Sequence, residues 1–233
     1  MKKIFTIATL LSIAALGAVQ TSLAADAKAE LRQKFKDNVK TAENGDVVIA
    51  DLPKVDMSKL KNTEMVGPLI MTFISYVDPD INFEELDKSI VAATGGKKPP
   101  VPISAIMAGI GKYLGRKNMQ FQSVPFSGNN IVSRIEDGVP VIAWVASSDI
   151  YQKTFVPRTE KRAGVSKSED WAKELRKLEQ KKLPRGKTFS RCLILGCNKT
   201  TDEFLLAGVS ETPVWMTAKE VKAVLLEAYV LRY

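Results

Sequence analysis

The chain of 233 residues contains no histidine and only two cysteines. Because imidazole is the usual general base near neutral pH, this absence excludes Ser-His-Asp triads, Cys-His dyads and histidine-ligated zinc sites. An enzyme built from this sequence would have to use carboxylates, lysine, tyrosine or a cofactor. The acidic residues form no clear pair and no spaced set of calcium ligands. The sequence therefore predicts no metal site and no cofactor.

The two cysteines, Cys192 and Cys197, lie five residues apart in a segment predicted to be a strand. Extended backbone would separate their Cα atoms by roughly 16 Å, far beyond the roughly 7 Å that a disulfide tolerates. A bridge would need a sharp turn at Gly196 and is kept as the alternative. We interpret both cysteines as small core residues.

The N-terminus has the pattern of a secretory signal peptide. Two lysines open it, an uncharged apolar stretch follows from Ile4 to Val19, and residues 22–24 supply the small side chains of a cleavage site. The apolar stretch is shorter than the roughly 20 residues of a membrane-spanning helix, which favours cleavage over anchoring. We expect a periplasmic or secreted mature chain that begins at Ala25 and has no transmembrane segment.

Positive charge is concentrated in one segment. The whole chain has a formal net charge of +8, and the stretch from Arg158 to Lys187 holds eleven basic and five acidic residues. One interpretation is a surface for an anionic glycan, an anionic lipid or an acidic partner, formed by Arg176, Lys177, Lys181 and Lys182. The mixed charges favour a solvated helix face instead. Without an aromatic ladder, nucleic acid is disfavoured as a partner.

Apolar periodicity and turn signals predict helices first and mostly antiparallel strands later. Helices are predicted at Ala27 to Thr41, Leu69 to Val77, Asn82 to Ala92, Ile103 to Leu114, Asn130 to Glu136, Ser168 to Lys181 and after Thr217. Strands are predicted at Asp46 to Leu52, Met119 to Val124, Val139 to Ala146, Phe189 to Cys197, Glu203 to Ala207 and Ala228 to Tyr233. This order predicts an α+β domain with helices packed on one side of a half-barrel-like sheet.

Local signals mark several helix ends. Asn82 and Thr217 each precede a glutamate by three residues, which is the pattern of a capping box. Pro68, directly after Gly67, suits the first turn of an apolar helix. Gly109 lies inside a predicted helix, where it weakens the helix or lets another element approach closely.

A helix that opens at a Gly-Pro pair and is followed by an antiparallel sheet resembles the papain-like cysteine peptidases. The chain is most similar to the family that processes bacteriocin leaders, the double-glycine peptidase-like proteins, from about Asp51 to Tyr233. The segment from Asp137 to Trp144 resembles a strand of that family. The predicted organisation is a signal peptide at 1–24, the N-terminal helix of the mature chain at 25–45 and, as the resemblance implies, a peptidase-like domain at 46–233. That domain would carry a basic helical insertion at about 147–188.

The positions that are catalytic in this family hold other residues here. Val66, or Met65 in an alternative register, replaces the cysteine that begins the central helix. Ser190 holds the place of the histidine, Gly208 that of the orienting Asp or Asn, and Met57 that of the oxyanion-hole glutamine. A reactive thiolate needs a helix N-terminus and an adjacent imidazolium, so these replacements remove the covalent step. The resemblance thus implies a non-catalytic pseudo-peptidase that binds an unidentified protein, peptide, or anionic glycan or lipid.

Two other functions stay open at this point. A hydrolase or peptidase with relocated chemistry would use Cys192 or Cys197 as nucleophile, or Ser190 with Lys187 as a dyad. Neither thiol has an imidazole to activate it, which favours unreactive core residues. A polyanion-binding surface protein would use the basic segment described above. The oligomeric state is not predicted.

Overall fold

The structure, a computed structural model, describes residues 29–59, 63–97, 101–147, 149–162 and 189–232. Within these residues the protein is an α+β domain in which eight strands form one antiparallel sheet with helices packed against it. The predicted α+β class and the antiparallel sheet are therefore confirmed. No helix in the described ranges combines the length and the apolar character that crossing a membrane requires.

The strands are β1 (Val39–Thr41), β2 (Val47–Ile49), β3 (Gln120–Val124), β4 (Val141–Ala146), β5 (Phe189–Asn198), β6 (Glu203–Ala207), β7 (Val214–Thr217) and β8 (Leu225–Arg232). The helices are α1 (29–37), α2 (Thr63–Val77), α3 (Phe83–Thr94), α4 (Ile103–Gly115), α5 (Gly128–Glu136), α6 (Val156–Glu160) and α7 (Ala218–Val224). A 3-10 turn at Met57–Lys59 precedes α2, and a π-helix at Tyr151–Phe155 precedes α6.

Most predicted elements agree with the structure to within a few residues, but the N-terminal helix does not. It was predicted to reach Thr41, whereas α1 ends at residue 37 and Val39–Thr41 forms β1. The reason is tertiary pairing, because β1 and β2 form an antiparallel hairpin in which Val39 lies opposite Ile49. The helix predicted from Ser168 to Lys181 lies outside the described residues.

Strand β5 is the centre of the sheet, whose order is β1-β2-β5-β4-β8-β3, with β6 and β7 added beside β5. Leu193 of β5 pairs with Ile142 of β4 and also with Ala207 of β6, so β4 and β6 flank β5. Near its end, Cys197 pairs with Val47 of β2. Every residue of β5 from Cys192 to Asn198 is buried, so both faces of this stretch are covered. A strand covered on both faces has a nearly continuous apolar run in place of alternation.

Helix α2 crosses one face of the sheet on a chain of aromatic contacts. Phe73 of α2 packs against Phe121 of β3, with ring centroids 5.7 Å apart. Phe121 stacks on Tyr229 of β8 at 5.6 Å, and Tyr229 meets Trp144 of β4 edge to face at 6.2 Å. These contacts fix α2 across β3, β8 and β4, so its first turn reaches β5.

The start of α2 is set by a glycine. Gly67 has a non-helical backbone, with φ 75° and ψ 162°, which separates a short turn at residues 63–66 from the main helix that Pro68 begins. Positive φ is a conformation that glycine adopts with little strain, and the fixed φ of proline suits a first helical position. The predicted helix start is confirmed, whereas the turn that precedes it was not predicted.

The other local predictions are confirmed at Thr217 and Gly109 and in part at Asn82, where the N-cap hydrogen bond of the predicted capping box is present. The Asn82 side chain accepts a hydrogen bond of 3.1 Å from the backbone N–H of Glu85 at the start of α3. Thr217 and Glu220 form a complete capping box at α7. A Cβ on Gly109 of α4 would lie 2.7 Å from the Cα atom of Ile90, so glycine there allows α3 and α4 to pack closely.

Candidate functional site at the start of helix α2

The candidate site is the junction where the first turn of α2 meets β5 and the residue that follows β6. A Cβ on Gly67 would lie 3.2 Å from the Nη1 atom of Arg191 on β5. Gly208, directly after β6, has φ +95°, and its Cβ would lie 2.0 Å from Cδ1 of Leu69 and 2.8 Å from the carbonyl oxygen of Arg191. Two of the predicted positions, the start of α2 and Gly208, therefore lie together.

Strand alternation decides which residue of β5 faces this junction. The Arg191 side chain lies beside Gly67, so its neighbour Ser190 points to the opposite face of the sheet. There the Ser190 hydroxyl lies 2.9 Å from the hydroxyl of Ser147, which follows β4. The structure thus places Arg191, not Ser190, against α2. The sequence pattern indicated Ser190 and not Arg191 as the residue of β5 that faces α2. A shift of one residue along a strand moves a side chain to the opposite face of the sheet, so the two alternatives differ by a single position.

Two of the remaining predicted positions, Val66 and Met57, pack into or against the hydrophobic core. Val66 is fully buried in the hydrophobic core. Met57, in the 3-10 turn, is partly buried and packs against the edge of that core. The side chain of Met65 lies outside the described residues. Apolar packing is the role that the structure supports for Val66 and Met57.

Cross-strand register places Trp144 beside Arg191 and Glu227 beside Trp144. Trp144 of β4 lies directly opposite Arg191 on one side and opposite Glu227 of β8 on the other. Trp144 is fully buried, and its indole N–H has no hydrogen-bond partner among the described residues. Tyr229 donates a hydrogen bond to Glu227, and burial together with this bond raises the pKa of Tyr229. The indole of Trp144 therefore lies between the cationic Arg191 and the acidic Glu227 in this row of cross-strand neighbours.

The chemistry available at the junction follows from these groups. Burial lowers the pKa of Arg191, but a guanidinium stays protonated in proteins. It donates hydrogen bonds and stabilises negative charge, and it does not accept a proton from a nucleophile. Leu69 and Val66 have no reactive group. Arg191 can therefore bind and position a negatively charged group, and none of Val66, Leu69 and Arg191 supplies a nucleophile or a general base.

Neither cysteine forms a disulfide, and both are buried, as the interpretation of two core residues predicted. Burial raises the pKa of Cys192 to about 12 and that of Cys197 to about 11. Cys192 and Arg191 are neighbours on a strand, so Cys192 points away from α2. Both thiols are held in the protonated, weakly nucleophilic form.

We expect both thiols to be nearly inert in the folded protein. A thiol-reactive dye at pH 7.5 should label the native chain at least about a hundredfold more slowly than the unfolded chain, because burial disfavours the thiolate and blocks access. The measurement is the time course of labelling, with the same protein in guanidinium chloride as the reference. A thiol that reacted in native buffer at the rate of an unfolded cysteine would contradict this reading.

The described start of the basic segment is fixed by two arginines. Arg158 of α6 forms a bidentate ion pair with Glu220, with N–O distances of 2.7 and 2.6 Å. Arg162 pairs with Glu203 at 2.9 Å and also with Asp46, and its guanidinium lies 3.6 Å above the ring of Trp215. Both positive charges are paired with carboxylates of the same domain. This pairing reduces the net positive charge of the segment that is available to an anionic partner.

The carboxylate of Asp46, which pairs with Arg162, also accepts hydrogen bonds from neighbouring side chains. Burial alone would raise the pKa of Asp46, but hydrogen bonds from Asn198, Arg162 and Asn44 outweigh it and lower that pKa. Asn198 donates to Asp46 at 2.7 Å and to the carbonyl oxygen of Asn44 at 3.0 Å.

The proposed anion-binding residues Arg176, Lys177, Lys181 and Lys182 lie outside the described residues.

The contact between Gly208 and Leu69 yields a direct test of the junction. Gly208→Ala should lower the free energy of unfolding by about 2–4 kcal/mol, because the new Cβ combines a positive φ with a clash against Leu69. Gly95→Ala is the matched control, since Gly95 also has a positive φ of +66° but nothing within 4 Å of its Cβ position. Urea unfolding of both variants measures the difference.

A second variant separates the clash from the backbone strain. Leu69→Ala in the Gly208→Ala background should restore part of the loss, because it removes the side-chain contact and leaves the one with the Arg191 carbonyl oxygen. Equal unfolding energies for Gly208→Ala and Gly95→Ala would show that Leu69 does not fill the space beside Gly208.

Comparison with known proteins gives no family assignment. No protein-family model matches the sequence, and no curated protein is significantly similar to it. Within the described part of the chain, no group of three or more cysteine or acidic side chains is placed to hold a metal ion.

Proposed function

We propose that this chain is an exported, non-catalytic relative of the papain-like cysteine peptidases, similar to those that process bacteriocin leaders, and that it binds a partner instead of cleaving it. The observation that carries the proposal is the junction itself. The first turn of α2 lies against β5 at Arg191 and against Gly208 after β6. In that family the nucleophile, the base and the orienting residue occupy the corresponding three elements.

The side chains at the junction support a binding role over a catalytic one. In the family the nucleophile begins the central helix, and the side chains described at the start of α2 are those of Val66, Pro68 and Leu69, none of which is a nucleophile. The group that β5 directs at α2 is a guanidinium, which cannot act as a general base at neutral pH. Leu69 fills the space beside Gly208, so the orienting position is closed by packing. Losing catalytic groups while keeping the packing leaves a scaffold that can present a surface to a partner.

The buried thiols argue against the rival enzyme with relocated cysteine chemistry. Cys192 and Cys197 lie in the core with raised pKa values, and neither has an imidazole nearby, since the chain contains none. A serine nucleophile at Ser190 would need a base; among the described residues its hydrogen-bond partner is the hydroxyl of Ser147, and Lys187 lies outside those residues. A protein or peptide partner is proposed first, with an anionic glycan or lipid as the other class.

The test is a search for peptidase activity in the mature chain. The purified protein, incubated with a mixed peptide library and with a thiol-directed covalent peptidase probe, should neither cleave nor become labelled. The double variant Cys192→Ser with Cys197→Ser is the matched control and should behave identically. Intact mass of the product from the full-length gene checks the proposed start at Ala25.

Two outcomes would overturn the proposal of a non-catalytic protein, and a third would overturn only the proposal of export. Labelling or cleavage that disappears in the double cysteine variant would establish a cysteine enzyme. Cleavage that survives there but is lost in Ser190→Ala would establish a serine enzyme. A mature chain that retains residues 1–24 would remove the export part of the proposal and leave the rest standing.

A further inference from the structure

We draw no further inference here: the strongest candidate, the largely apolar groove of about 660 Å³ that Lys59, Phe83, Val91 and Ala92 line beside helix α3, carries nothing because nothing in the structure shows what covers it.

Discussion

Replacing Gly138 with alanine is expected to destabilise the protein by at least about 3 kcal/mol, and this is among the largest single effects we predict. A Cβ at this position would lie 1.9 Å from the carbonyl oxygen of Phe35 and 2.3 Å from its carbonyl carbon. These are backbone atoms, so no rotamer change relieves the clash. Gly138 also has a φ of +76°, which adds the strain of a left-handed conformation.

The surroundings of Gly138 leave little room for adjustment. Its carbonyl oxygen accepts a hydrogen bond of 2.9 Å from the hydroxyl of Tyr76 on α2. Phe35 is fully buried and stacks on the Tyr76 ring with centroids 5.3 Å apart. Three elements therefore pack against one another at Gly138: the end of α1, the C-terminal part of α2 and the turn before β4. Moving any one of them to admit a methyl group would disturb the other two.

Urea unfolding followed by tryptophan fluorescence measures the effect of Gly138→Ala. Gly95→Ala again serves as the control, because it has a positive φ without the contact and should lose only about 1 kcal/mol. If Gly138→Ala does not fold, the milder Phe35→Leu should still lower the midpoint and keep a single transition. A Gly138→Ala variant as stable as Gly95→Ala would show that α1 does not pack against this turn.

The close contact between Phe35 of α1 and Gly138 joins the N-terminal segment to the rest of the domain. The sequence suggested a boundary between residues 45 and 46, but β1 and β2 lie on either side of it and pair as a hairpin. Strand β2 in turn pairs with β5, the strand that carries Arg191. We therefore expect α1 to unfold in the same transition as the sheet, not in a separate one.

Replacing Glu220 with alanine is expected to lower the free energy of unfolding by about 3–5 kcal/mol. The Glu220 side chain is fully buried and is the bidentate partner of Arg158. It also accepts a hydrogen bond of 2.8 Å from the backbone N–H of Thr217, which caps α7. Its loss would leave a buried guanidinium without its carboxylate and would remove half of the capping box.

Matched variants separate the charge from the cap. Glu220→Gln keeps an oxygen that can cap α7 but removes the charge, so it should retain about 1 kcal/mol of what Glu220→Ala loses. Lys88→Ala removes an exposed ion pair with Glu84 and should change stability by less than about 0.5 kcal/mol.

A double variant tests whether the pair acts as a unit. Arg158→Met combined with Glu220→Gln should be clearly less destabilising than the sum of the two single changes, because neither charge is then left unpaired. Strict additivity in urea unfolding would contradict the proposed coupling between α6 and α7.

The local features of the fold were predictable because their causes lie within a few residues. Asn82 and Thr217 cap their helices through side-chain oxygens that reach backbone N–H groups three residues away. Gly67 and Pro68 begin the main part of α2 through their own backbone preferences. None of these outcomes depends on distant parts of the chain.

Other features depended on partners far away in sequence. Val39–Thr41 becomes a strand because β2 pairs with it, although its apolar spacing continues that of α1. Arg158 and Arg162 looked like part of a basic surface, but they are ion-paired with Glu220 and Glu203. Segment composition cannot reveal such pairs, since charges that meet in space are separated by more than forty residues along the chain.

The sequence by itself determined that no imidazole can serve any site in this protein, because a missing residue type is missing from every possible fold. It also named the start of α2 and Gly208, which are neighbours in the structure, together with Ser190 of β5. Only the tertiary structure decided that Arg191, and not Ser190, faces the start of α2. The physical reason is the two-residue period of a strand, which makes the face of each side chain depend on register and on what packs above it.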